Sequence, residues 1–382
     1  MLFLVCVLPF IVGIYLAVKN SLAYKGYHYG EYLAKMLLIF QIPTIFTAMG
    51  VMIPYGISSY KVMDKEYWGS YGIKVHHEEP WNEYIYATCT RTVSCGKDCT
   101  TTETYDCSYV LYHPDYKTIT DSLGVRYFAT DELYRELVGL WGNEKKVGHH
   151  SGYTQSGDIF EAYFPGTDNK MYNMVTVHNY KNPIQISHNV LNFPEVDKKT
   201  KSDYKLYEYP SVNSKYYAPS ILGSAYANEH KTIDLMNAKL GSPYQIKVFI
   251  LIFGKDRIAF QEQRNLWKNG NKNELVICVG VDEKRNIVWG DCFSWTDIDL
   301  LKVEVTNWLG ERINKRLDIV KFAEWLEPEI KSKWKRKEFK DFMYLYNNRF
   351  GFGSYTFSIL WAMFCVGATI VIVHKSDGEF IY

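Results

Sequence analysis

The chain has 382 residues, with 43 Lys and Arg against 42 Asp and Glu and a formal net charge of +1. That balance lacks the basic excess of a general nucleic-acid binder, so no nucleic acid is expected as a partner. Hydrophobic residues at 47% and charged residues at 22% exclude a disordered chain, and a mean hydropathy of −0.22 excludes a multi-span transporter.

Three uncharged apolar runs lie at the ends: Leu2 to Val18, Met36 to Ile57 and Tyr355 to Val373. A helix needs roughly 20 apolar residues to cross a bilayer, so each run is read as a transmembrane helix. The first could instead be a signal peptide cleaved after Ser21-Leu22-Ala23, but it lacks a basic leading region. The expected organisation is two transmembrane helices and a short loop over residues 1–57, a strand-rich region over 58–215, an α/β domain with C-terminal helices over 216–350, and a third transmembrane helix with a tail over 351–382. The loop between the first two runs carries Lys19, Lys25 and Lys35 against Glu31. The positive-inside rule puts that loop in the cytoplasm and the large domain outside. Lys335, Arg336, Lys337, Lys340 and Arg349 give the opposite signal, but long domains cross largely regardless of charge.

Four cysteines, Cys89, Cys95, Cys99 and Cys107, are spaced C-x5-C-x3-C-x7-C. Zinc sites of the usual kind favour closer pairs. A hairpin turning at Gly96-Lys97-Asp98 sets Cys95 opposite Cys99 and leaves Cys89 and Cys107 two residues out of register, a slip a bulge absorbs. Two cross-strand disulfides are expected, which implies an oxidising compartment; zinc and free thiols are the alternatives. The absence of an Asn-x-Ser/Thr sequon in the soluble region favours a bacterial or phage setting over a eukaryotic surface. Further on, Thr130 caps DELYRELVGLW and Gly142 stops it, an amphipathic helix with Leu133, Leu137 and Leu140 on one face.

After Pro219 the pattern turns α/β. Ser220 to Leu240 reads as helix, Tyr244 to Phe253 as strand, Arg257 to Trp267 as helix, Glu274 to Val281 as strand, Asp282 to Asn286 as turn and Ile287 to Phe293 as strand. Thr296 to Leu309 and Leu317 to Tyr346 read as helices. Strands apolar on both faces imply a sheet covered on both sides. The run from LMNAKLG through YQIKVFILIF, NLWKNGNKNELVICVGVD and NIVWG resembles the TPM-domain family over about residues 220–311. The shared features are a strand, a helix ending in W-x-x-G, an apolar strand ending in Asp and a short return strand. The resemblance implies an α/β/α domain tethered outside a membrane, and roles ranging from assembly to phosphatase-like activity. The fold class expected for the chain is therefore an α+β membrane protein with three transmembrane helices, a disulfide hairpin and a TPM-like domain.

Open α/β sheets bind ligands beyond the carboxyl ends of their strands. Asp256 and Asp282 follow two such ends, where their oxygens would suit calcium or magnesium; the plainer reading makes both turn formers. No cofactor is required. His76-His77-Glu78-Glu79 looks metal-like, but neighbours on a strand point to opposite faces. His149-His150 reads as surface. Cys278 and Cys292 read as buried strand residues, with a link between them left open. No nucleophile elbow, P-loop or dinucleotide fingerprint is present. The function expected is a membrane-anchored, extracytoplasmic binding or assembly protein whose partners are the bilayer and another membrane or envelope protein. The alternative is a metal-dependent, phosphatase-like hydrolase at the membrane surface.

Overall fold

The structure is a computed structural model, and it describes residues 7–23, 42–54, 56–57, 62–96, 99–186, 193–348 and 352–379. The chain begins with helices α1 (Leu8–Ala23) and α2 (Ile42–Pro54). Strands β1 (Met63–Glu78), β2 (Trp81–Ile85), β3 (Thr88–Gly96), β4 (Cys99–Asp106), β5 (Tyr109–His113), β6 (Tyr116–Asp121) and β7 (Arg126–Phe128) follow. Helix α3 (Asp131–Trp141) leads to β8 (Lys145–His150), β9 (Gly157–Tyr163) and β10 (Asn173–Lys181), then to a short α4 (Lys198–Asp203). The α/β segment holds β11 (Ile221–Leu222), α5 (Ala227–Tyr244), β12 (Lys247–Phe253), α6 (Ile258–Leu266), β13 (Glu274–Val281), β14 (Ile287–Ser294), α7 (Asp299–Gly310) and α8 (Ile319–Lys333). The described chain ends with α9 (Phe352–Glu379). Two compact units result: Met1–Lys65 with Asn179–Phe193 and Glu338–Tyr382, and Glu66–His178 with Pro194–Lys337.

In the smaller unit the expectation of three membrane-spanning helices is corrected. Among the described residues one helix is long and apolar enough to cross a membrane, over Gly353–Val371. Helix α1 has 16 residues, about 24 Å at 1.5 Å per residue, against about 30 Å of hydrocarbon. It also draws Lys19 into its last turns, because apolarity does not determine where a helix stops. Helix α2 is shorter still; the opening of its apolar run, from Met36, lies outside the described residues, as do Lys25 and Lys35. Helix α1 packs against α9. Helix α2 meets α9 where Gly50 leaves room for the Trp361 ring, whose Nε1–H donates to the Phe46 carbonyl at 2.8 Å.

In the larger unit β1, β6, β7, β8, β9 and β10 form a six-stranded sheet in the order β7-β6-β1-β9-β8, with β10 also on β1. Its period-2 alternation turns Val75, Ile119 and Ala162 inward onto Leu133, Leu137 and Trp141 of α3. Helix α3 is built as its caps dictate: the Thr130 side chain accepts from the Leu133 N–H, and Gly142 closes it at φ 68°. Burying a Leu or Ile here stabilises by roughly 1.5–3 kcal/mol.

The second sheet runs β11-β12-β13-β14, parallel through β13 and antiparallel at β14. Val248, Ile250 and Ile252 pack on one face against α5, α7 and α8. Phe249, Leu251 and Phe253 pack on the other against Ala259 of α6, Trp267, Tyr67 and Val175. Every β12 residue is buried. The helix expected from Ser220 starts later, because Gly223 at φ +108° breaks the chain between β11 and α5. The long helix expected over Leu317 to Tyr346 divides into α8 and a 3-10 segment over Phe339–Asn348, with Trp334 extended between them.

An arm of two two-stranded ribbons, β2 with β5 and β3 with β4, runs from Trp81 to His113. Cys89 and Cys107 are disulfide-bonded, with Cα atoms 5.8 Å apart. Cys89 pairs in register with Tyr105, and a bulge lies between Ser94 and Gly96. Cys95 is also in a disulfide; the Cys99 side chain lies outside the described residues.

Candidate functional site

The parallel strands carry the chain to one edge of the second sheet, and there the structure has a cleft of about 730 Å³. Three segments build it. The first turn of α5 follows β11 and brings Tyr226, Asn228 and Glu229; the connection from α7 to α8 brings Arg312, Lys315 and Arg316; the start of α8 brings Asp318 and Lys321. The connection is pinned to the sheet by backbone bonds. Ile287 N donates to Lys315 O at 2.9 Å, Asn314 N to Ile287 O at 2.8 Å and Leu317 N to Arg285 O at 2.8 Å. The basic residues are thus held at the end of β13 by main-chain geometry.

The side chains are ordered by one another. Glu229 accepts from the Tyr226 N–H at 2.8 Å, a capping box, and from Arg285 at 3.0 and 3.2 Å. The Arg285 guanidinium lies 4.6 Å from the Tyr226 ring centroid, and Arg316 donates to the Tyr226 hydroxyl at 3.1 Å. Hydrogen bonding to Arg285, then to Arg316, holds the Tyr226 phenol below its usual range. Arg312 stacks on Trp308 at 3.8 Å and donates through Nη1 to the Trp308 carbonyl at 2.9 Å. Trp308 stacks in turn on Trp325 at 5.7 Å between centroids. Four cations line the cleft against two carboxylates. Glu229 is occupied by Arg285, and Asp318 caps α8 through the Lys321 N–H at 3.0 Å. Such a surface suits the holding of an anion more than proton transfer, because neither carboxylate is left free to move a proton.

A second polar group lies at the opposite, amino edge. Lys247 and Glu274 are register neighbours at the starts of β12 and β13, and both are buried. Lys247 Nζ donates to Ser220 Oγ at 2.9 Å, Ser220 Oγ–H donates to Asp234 at 2.6 Å, and Asn237 donates to Ser220 at 3.0 Å. Burial pushes the Lys247 ammonium down to about 8, against the attraction of Asp234 and Glu274. Ser beside Lys suits a nucleophile and its base. Ser220, however, is fully buried and its proton is committed to Asp234. This network fastens α5 to the sheet.

Asp256 and Asp282 emerge after adjacent parallel strands, but each serves its own turn. Asp256 accepts from the Ile258 N–H at 2.9 Å. Asp282 accepts from the backbones of Lys284 at 2.9 Å and Asn286 at 2.7 Å and from the Asn286 amide at 2.9 Å. Among the described residues no group of three metal-type ligands converges. His76 bonds Glu161 and Glu78 at 3.0 and 2.8 Å, and His77 bonds Asp115 at 2.7 Å. His149 and His150 lie on strand β8; His150 and His113 both stack on the Trp81 ring, at 4.3 and 4.1 Å between centroids. Cys278 and Cys292 are free and pack in the cores on opposite faces of the sheet, so no disulfide joins them.

The cleft cations are the residues the sequence reading missed. The signal available was the run Arg312-Ile313-Asn314-Lys315-Arg316 between two helices; nothing in its spacing ties it to Tyr226. Against known protein families, curated proteins and solved structures, the chain has no match.

Proposed function

We propose that the chain is a membrane-anchored binding protein that presents its α/β domain on the extracytoplasmic side, with the carboxyl-edge cleft as its ligand site and another membrane or envelope protein as its assembly partner. The cleft carries this reading: it lies where parallel sheets take ligands, and its groups are arranged to hold. Anchoring is supported by α9, whose apolar window is only 22% buried. A core helix of a soluble protein would be covered, whereas Leu360, Met363 and Phe364 face outward. The side of the membrane is supported by the oxidised arm. We keep in this proposal the resemblance of residues 220–311 to a TPM-type domain tethered outside a membrane, although no known family matches the chain. The hydrolase reading draws on Asp256 and Asp282, whose oxygens accept bonds within their own turns, and is the weaker one.

The test is labelling of intact expressing cells with a membrane-impermeant maleimide. Label on Cys89 and Cys107 only after an impermeant reductant is added outside supports the reading. Label without reductant, or only after lysis, contradicts it.

A further inference from the structure

We infer that the cleft binds a small polyanion carrying a flat apolar ring, a class that includes aromatic phosphates and aromatic polycarboxylates. The inference rests on reading the cleft as the ligand site, and it concerns chemistry that the reading leaves open. Charge comes first. Arg312, Lys315, Arg316 and Lys321 line one cavity; Glu229 is taken up by Arg285, while Arg312 meets Glu311 and Lys321 meets Asp318, each at 3.5 Å, which leaves Lys315 and Arg316 without an acid partner among the described residues. Lys315 makes no ion pair among the described residues, and the Nη2 of Arg312 donates to no described group. The first turns of α5, with 18 residues, and α8, with 15, open into the same cleft and add the positive ends of their dipoles. A cationic ligand would meet this field unfavourably, a neutral one would gain nothing from it, and a single charge would answer only one of the two unpaired cations.

Size and shape come second. About 730 Å³ falls within the range of sites for small organic molecules, roughly 300–1,000 Å³, and far exceeds one inorganic anion. Three aromatic rings, Tyr226, Trp308 and Trp325, share the remaining lining with aliphatic Ile287, Leu317 and Val320 and with Asn228. Arg312 lies flat on Trp308, so its fork is held at the edge of an apolar wall, ready for bidentate contact with a phosphate or carboxylate. A ligand with its charges at one end and a ring at the other satisfies both surfaces. Because Lys315, Arg316 and Lys321 are exposed, their contribution is screened by salt.

The experiment is calorimetric titration of the full chain in neutral detergent with phenyl phosphate, inorganic pyrophosphate, phthalate and, as neutral control, phenol. Saturable binding of the anions, weakened by salt and absent for phenol, is expected. Phenyl phosphate against phthalate separates the phosphate from the carboxylate source. Arg312→Gln with Arg316→Gln should weaken binding at least about tenfold, the scale of one charge-assisted contact. Lys315→Gln, at an exposed position, should weaken it less while leaving the melting profile unchanged. Trp308→Leu should remove the preference for phenyl phosphate over pyrophosphate. No saturable anion binding would overturn the inference alone, since the maleimide result on membrane side is independent of it. Anion binding that survives all the cleft variants would overturn both the inference and the placement of the ligand site.

Discussion

The two sheets of the larger unit solve burial differently. In the four-stranded sheet β12 is covered at every position and β13 at all but its last; within these two strands charge enters only at their starts, as Lys247 and Glu274. The six-stranded sheet is half apolar. Val75, Ile119 and Ala162 meet α3, while Lys74, His76 and His77 are tied to Glu161 and Asp115. The four-stranded sheet is therefore a scaffold stabilised by packing, whose edge is free to carry a site. The six-stranded sheet is stabilised in part by ion pairs and responds to pH. The arm beyond it is mostly exposed and held by disulfides.

The largest expected effect breaks the scaffold. Phe249→Ala removes a ring with no solvent exposure and should cost about 3–5 kcal/mol, read from the denaturant midpoint. Val110→Ala on the exposed strand β5 should change it by less than about 0.5 kcal/mol. Equal effects would end the distinction between scaffold and arm.

The disulfide comes next. Cys89 and Cys107 are 18 residues apart, and losing their bridge should lower the opening free energy of the arm by about 3 kcal/mol. Hydrogen exchange should rise from Trp81 to His113, with the global midpoint nearly unchanged. A collapse of the whole midpoint would show that the arm is part of the core.

The two sheets should respond to opposite ends of the pH scale. Burial of Glu161 works against its charged form, but hydrogen bonds from Lys74, Tyr163 and His76 outweigh it and bring its pKa down to about 2, from an ordinary 4.5. A depressed carboxylate contributes stability above its unfolded value and loses it as pH falls, here from about 4.5 to about 2. On the order of 3 kcal/mol is at stake, and Glu161→Gln should flatten that slope. Lys247 has the reverse arithmetic. Its folded pKa of about 8 lies below its ordinary 10.5, so its burial penalty is full below pH 8 and is relieved as pH rises from 8 to 10.5. Lys247→Met should remove that alkaline rise. A slope that survives either substitution would assign it to other groups.

The smallest expected effect is on the arm's surface. Arg91 and Glu103 pair across β3 and β4 with both side chains more than half exposed. Glu103→Gln should move stability by less than about 0.5 kcal/mol; a larger shift in the same denaturant titration would mean that the arm is more buried than described.

Legibility followed the same division. The strands of the scaffold were readable because both faces are apolar, and α3 was readable because Thr130 and Gly142 are strong local signals. The cysteine hairpin could be read from a glycine turn and even spacings. The termini were misread as three spans because an apolar run does not specify the helix within it: α1 begins at Leu8 and extends beyond Lys19. The six-stranded order was not readable, since β1 pairs with β6, β9 and β10 across up to about a hundred residues, and such pairings leave little local trace. For the same reason the cleft escaped. Tyr226 and Arg316 meet in space but share no motif. Asp256 and Asp282 occupied the expected edge, yet the groups that fill it come from the neighbouring connections.

The central claim is that ligand is held at the carboxyl-edge cleft, and hydrogen exchange of the full chain in detergent, with and without saturating phenyl phosphate, tests it most directly. New protection is expected to be confined to the start of α5, near Asn228 and Glu229, and to the segment from Arg312 to Lys321. Protection that appears instead at the turns of Asp256 and Asp282 or along the arm would contradict it.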